Sequence, residues 1–150
     1  MAAIYLIRHG QASFGKADYD QLSDKGRQQS QLLGKYWHSM PAPDKFYAGD
    51  LLRHGQTLEH FLLGAQTKEQ AVILHSGFNE FNHVELITCY DPKCKNFAEM
   101  TSSIAQQTKT DQLKKTFKEE FSHALERWVS GKHDNDYKET WSQFKKRCIK

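Results

Sequence analysis

Arg8-His9-Gly10, which closes the apolar run from Ala3 to Ile7, is the tripeptide whose residue types could do chemistry. A histidine leaving a buried strand, flanked by an arginine and followed by a glycine, suits attack on phosphorus. The neutral imidazole nitrogen is the nucleophile, the guanidinium neutralises phosphoryl oxygens in a forked geometry, and glycine lets the backbone approach a ligand. Such a site needs no metal and no cofactor. The tripeptide equally suits a histidine that is simply hydrogen-bonded or exposed at a strand end, so its surroundings must decide. Arg-His-Gly-Gln recurs at residues 53–56, but there apolar residues stand before and after it at helical spacing. His54 therefore reads as a surface or packing residue of a helix, and the repetition as coincidence. His83, Cys89 and Cys94 lack a fourth zinc ligand. With Cys148, the cysteines form neither an even disulfide framework nor paired C-x2-C clusters, and read as reduced thiols.

The elements that must carry these residues follow from periodicity. Ala3 to Ile7, apolar and β-branched, predicts a short buried strand. Ser23 is placed to cap a helix beginning near Asp24, with Leu32, Leu33, Tyr36, Trp37 and Met40 on one face before Pro41 and Pro43 stop it. Lys45 to Ala48 predicts a second strand, Leu51 to Leu63 a helix turning Leu51, Leu58, Phe61 and Leu62 to the core, and Ala71 to His75 a third strand. Strands alternating with helices imply a parallel sheet whose following loops gather at one edge, where ligands bind in open α/β sheets. After Asp91-Pro92 the character changes, and residues from about 101 onward read as helix. Leu113, Phe117, Phe121, Leu125 and Trp128 form one stripe, and Tyr137, Trp141, Phe144 and Cys148 another, with a break at Gly131 to Asp136.

The 150 residues suit one domain. Hydrophobic residues are 38% of the chain, enough for a modest core, and the net charge of +3 comes from interspersed basic and acidic residues. Without a field of one sign, nucleic acid and membrane surfaces are poor partners. Arg8 and His9 interrupt the first apolar run too soon for a secretory segment, and no later run reaches a membrane span. A cytoplasmic protein is expected.

Ile4-Tyr5-Leu6-Ile7-Arg8-His9-Gly10 resembles the signature of the histidine phosphatase superfamily, also called phosphoglycerate mutase-like. The resemblance continues in Leu22-Ser23, Gly26 and Gln29 at the first helix, in Leu52-Arg53 with Thr57 four residues on, and in Glu80 of Gly77-Phe78-Asn79-Glu80-Phe81. It implies that His9 takes the phosphoryl group as phosphohistidine and that Arg8 and Arg53 hold its oxygens through the transfer. Glu80 would protonate the departing alkoxide, then draw a proton from the hydrolytic water. The implied fold is a three-layer α/β/α sandwich with a mainly parallel sheet. Residues 1–97 would form its α/β core and residues 98–150 a helical part of the same single domain.

The sequence also departs from the family pattern. Gln11 stands where many members are acidic, and Gly15 where mutases often place an asparagine. In the short loop from Ser13 to Tyr19, Phe14 and Tyr19 could form walls and Ser13 could donate to phosphate. The late strand ending in a second histidine has no counterpart, since neither His123 nor His133 follows an apolar strand. The chain thus reads as lacking the last strand, with an open sheet edge beside Ala3 to Ile7 that invites a homodimer. His83 is the replacement donor the sequence offers. The expected activity is metal-independent hydrolysis of a small phosphomonoester, weakened by the missing histidine. The alternatives are a non-catalytic phospho-ligand-binding relative and an interaction domain.

Overall fold

The computed structural model describes residues 3–13, 20–67, 71–109 and 112–149. The chain divides into two compact units, one ending at Asn79 and the other starting at Glu80.

The first unit alternates helix and strand: α1 (Asp24–Trp37), β1 (Phe46–Ala48), α2 (Leu52–Ala65) and β2 (Val72–Leu74). β1 and β2 pair in parallel, Phe46 opposite Val72, Tyr47 opposite Ile73 and Ala48 opposite Leu74. The sequence expectation of mixed α/β structure with parallel pairing is met by this small sheet. The Ser23 cap is also found, its hydroxyl accepting from the Gly26 amide at 3.1 Å. His75 extends the ladder by one bond, its amide donating to the Ala48 carbonyl at 2.9 Å.

α1 and α2 approach through small residues. Gly26, Ser30 and Gly34 are buried on α1, and a Cβ added at Gly34 would stand 2.0 Å from the Phe61 carbonyl oxygen. Across the contact, a Cβ at Gly64 would stand 2.0 Å from the Gln31 carbonyl oxygen. This close approach corrects the expected buried face. Leu33 and Met40 pack with Trp37 and Phe61 as anticipated, but Leu32 is 63% and Tyr36 69% exposed. The glycine and serine stripe lets the backbones close, and that rotation turns Leu32 and Tyr36 outward. Gly34→Ala should therefore lower unfolding free energy by about 1–3 kcal/mol through overpacking against main chain, read by urea denaturation. An unchanged midpoint would rule out so close a crossing.

Ala3 to Ile7 is a second correction. It forms no strand among the described residues, and Ile4 is 90% and Leu6 91% exposed. Apolar, β-branched composition supplies strand propensity but not a ladder partner, and none of the described residues pairs with this segment. Tyr5 packs on Trp37, its ring edge-on at 4.6 Å.

The second unit is helical: α3 (His83–Tyr90), α4 (Phe97–Gln107), α5 (Leu113–Val129) and α6 (Trp141–Ile149). Asn82 and Asn96 cap the first two by accepting from the amides of Glu85 and Glu99. The α5 stripe is core: Phe117 and Phe121 pack on Ile87, Met100 and Ile104, while Leu125 and Trp128 meet Leu86, Tyr137 and Phe144. A short 3₁₀ turn at Asp134–Asp136 falls in the expected break. Cys148, assigned to the second stripe, is exposed instead. α3 belongs with these helices, so the units divide at Asn79 and Glu80, whereas the sequence placed its change of character after Asp91-Pro92 and the end of the α/β core at residue 97. The three cysteines are free, and burial with the neighbouring Asp91 pushes the Cys94 thiol up to about 11. No helix of the described residues is long and apolar enough to cross a membrane.

Candidate active site

The segment from His9 to Ser13 runs against the first turns of both α1 and α2. Gly10 is buried, its amide donating to the Thr57 hydroxyl on α2 at 3.1 Å. A Cβ at Gly10 would lie 2.4 Å from the Gly26 carbonyl oxygen on α1, so the absence of a side chain here serves helix contact. Gln11 is tied to α1 at both ends of its peptide. Its amide donates to Gln29 Oε1 at 3.0 Å, and its carbonyl accepts from the Ser23 amide at 2.9 Å. Thr57, Gly26 and Gln29, noticed in the sequence only as pattern matches, together with the expected cap Ser23, are thus what holds the segment.

His9 is half-buried, with Nδ1 2.7 Å from the Gly10 carbonyl oxygen. A carbonyl can only accept, so Nδ1 carries a proton, and in the neutral imidazole Nε2 then keeps its lone pair. The backbone therefore selects the tautomer whose outer nitrogen can act as a nucleophile.

Arg53 is only 3% exposed and is positioned by a residue that sequence reasoning missed. α2 begins without a local cap, since Leu51 makes no side-chain cap bond. Asp20 supplies one from a distant loop, its carboxylate accepting from the Leu52 amide at 2.9 Å and the Arg53 amide at 3.4 Å. The same carboxylate pairs with Arg53 Nη1 at 2.9 Å. An aspartate in an irregular loop carries no spacing signal toward a helix some thirty residues later, which is why it was missed. Asp20→Ala removes the cap and leaves a buried guanidinium without this carboxylate. It should cost about 1–3 kcal/mol in chemical denaturation, the half-exposed carboxylate keeping the loss below that of a fully buried pair. A loss under about 0.5 kcal/mol, the level of ordinary surface changes, would show that Asp20 does not hold this turn.

The second Arg-His-Gly-Gln copy is not idle. Gln56 Oε1 accepts from the Leu22 amide at 2.8 Å, and the His54 ring centre lies 6.0 Å from that of His9. Burial, then Arg53 and His9, lower the His54 pKa from its usual 6.5, against the Gly49 backbone carbonyl and the charge of Asp20. The two copies share one neighbourhood, which a reading confined to helical spacing could not see.

The remaining sequence-assigned residues divide between the units. Arg8 and Gln11 are exposed, while Ser13 is buried and donates its amide to the Gln21 carbonyl at 2.7 Å. Phe14, Gly15 and Tyr19 lie outside the described residues. Glu80, exposed, opens the second unit. His83 begins α3, its ring 4.8 Å from Phe97.

Comparison with curated proteins and with solved structures returns no match. A family model, the histidine phosphatase superfamily (branch 1), matches residues 4–89. That span exceeds half the chain and takes in the helix-anchored segment around His9, the Asp20-capped start of α2 and Glu80. The chain belongs to the histidine phosphatase superfamily, branch 1.

Proposed function

We propose that the protein is a metal-independent phosphomonoester hydrolase working through a phosphohistidine on His9. The superfamily comprises phosphatases and mutases. The observation that carries the reading is the bond from His9 Nδ1 to the Gly10 carbonyl at 2.7 Å, which leaves Nε2 as the nucleophile. Nε2 attacks phosphorus, the ester P–O bond breaks, and the alkoxide takes a proton from Glu80. Water then attacks phosphorus, gives a proton to Glu80 and breaks the P–N bond, releasing phosphate. Arg8 and Arg53 neutralise the phosphoryl oxygens throughout. Glu80 holds its role here by its place in the family pattern.

Hydrolysis is favoured over mutase chemistry because a mutase must protect its phosphoenzyme from water, whereas Arg8 is exposed and His9 only half-buried. The reading carries with it the three-layer α/β/α sandwich as the working fold. Support for that comes from Ile4 and Leu6, residues suited to a buried strand yet almost fully exposed. Pairing of two copies along this segment belongs to the same proposal, as does a cytoplasmic setting.

The test is trapping of an acid-labile phosphohistidine from an aryl phosphate with chelator present. Phosphate binding without a trapped intermediate would sink the hydrolase reading and leave a non-catalytic phospho-ligand-binding relative.

A further inference from the structure

We propose that His54 is a phosphoryl-binding residue of this site, its imidazole forming with Arg53 and His9 a three-sided pocket for a phosphate monoester dianion. The proposal rests on the phosphohistidine reading for the role of His9, but its geometry is independent of turnover. His9 and His54 stand with ring centres 6.0 Å apart and planes tilted by 36°. Rings so placed are not stacked face to face. A tetrahedral anion bonded to or facing one of them brings an oxygen into hydrogen-bond reach of the other, about 2.6–3.2 Å between heavy atoms.

The seating of His54 supports this use. A Cβ at Gly49 would lie 2.5 Å from His54 Nδ1, and that nitrogen is buried. Nδ1 faces Gly49 without a hydrogen-bond partner among the described residues, which leaves Nε2 as the nitrogen for a ligand. Asn79 lies on the same side of Gly49, its Oδ1 accepting from the Asp50 amide at 3.0 Å and standing 2.1 Å from the same added Cβ. Arg53, next along α2, is held by Asp20, so the neighbouring cation is fixed before any ligand arrives.

The charged groups around His54 set what binding does to it. Burial, then Arg53 on α2 and His9 on the N-terminal segment, disfavour its protonation, and the Gly49 backbone carbonyl and Asp20 on the preceding loop favour it less strongly. At pH 7 the free site therefore favours the neutral imidazole. An arriving dianion reverses the local sign, and His54 takes up one proton from solvent to donate Nε2–H to a phosphoryl oxygen. Phosphate binding and His54 protonation are then linked, each strengthening the other.

Inorganic phosphate is the probe, with the His54 imidazole followed by NMR across pH in wild type and in His9→Ala. Bound phosphate should raise the His54 midpoint by about one pH unit, equivalent to about tenfold tighter phosphate binding by the protonated form. At pH 6, His54→Ala should bind phosphate about tenfold more weakly, and His54→Gln, which keeps a donor without the charge, should recover part of the loss. The rise in wild type requires no variant to fold. A raised midpoint in His9→Ala would support the His54 pocket even where wild type yields no phosphohistidine, the result that sinks the hydrolase reading. A midpoint that stays put while phosphate shifts the Gly10 amide, or full affinity in His54→Ala, would overturn the pocket while leaving phosphohistidine formation standing. Failure of phosphate to bind any of these proteins would overturn it as well.

Discussion

His9→Ala should abolish aryl phosphate hydrolysis, lowering turnover by at least about 10³-fold and removing the acid-labile phosphoenzyme entirely. The size follows from the chemistry: without Nε2 no covalent intermediate forms, and the two-step route collapses to direct attack by water. The fold should survive. Gly10 stays anchored through its amide to Thr57, and Gln11 through Gln29 and Ser23, none of which involves the His9 ring. Equal denaturation midpoints for the two proteins, measured beside the kinetics with chelator present, separate a chemical loss from unfolding. Turnover persisting within tenfold of wild type would show that another group is the nucleophile.

Arg53→Ala should cost about 10²–10³ in turnover, the magnitude seen when one preorganised donor to a developing charge is removed. Stability should change much less than turnover. Asp20 keeps its bonds to the amides of residues 52 and 53, so the start of α2 remains capped when the guanidinium is gone. Arg53→Lys tests the fork separately. It keeps the charge, cannot span two phosphoryl oxygens in one plane, and should recover only part of the rate. If Arg53→Ala turns over like wild type while Asp20→Ala is destabilised as expected, Arg53 is a structural cation and the phosphoryl charge is met elsewhere.

The parts of this molecule legible in the sequence were those with local causes. Ser23 announces the start of α1 because a cap acts three residues away, and the β1–α2–β2 alternation shows in apolar runs bounded by turns. The α5 stripe of Phe117, Phe121, Leu125 and Trp128 maps onto real packing because helical period and core face agree there. What failed depended on partners distant in the chain. Ala3 to Ile7 has the composition of a strand, but pairing is not encoded in the segment itself. Leu32 and Tyr36 lay on a plausible apolar face, until the small residues of α1 met α2 and turned them out. At the site, Arg8-His9-Gly10 was visible as a motif, whereas Asp20 and His54 enter only through geometry. His54 was set aside because helical spacing explained it, and spacing says nothing about what a helix's first turn faces.

The borrowed cap of α2 also bears on the order in which the molecule assembles. Asp20 to Leu52 spans 32 residues, Leu22 to Gln56 spans 34 and Gly10 to Thr57 spans 47. These three bonds at the opening of the helix thus wait on long loop closures, while the helix interior can form from neighbours four residues apart. The nucleus of folding should then lie in the body of α2 against α1, with its leading turn arriving after the barrier. Asp20→Ala would speed unfolding and leave the folding rate nearly unchanged, a φ-value close to zero. A folding arm slowed in proportion to the lost stability would place Asp20 in the nucleus instead. On this order the arginine and both histidines of the proposed phosphoryl pocket come together late in folding.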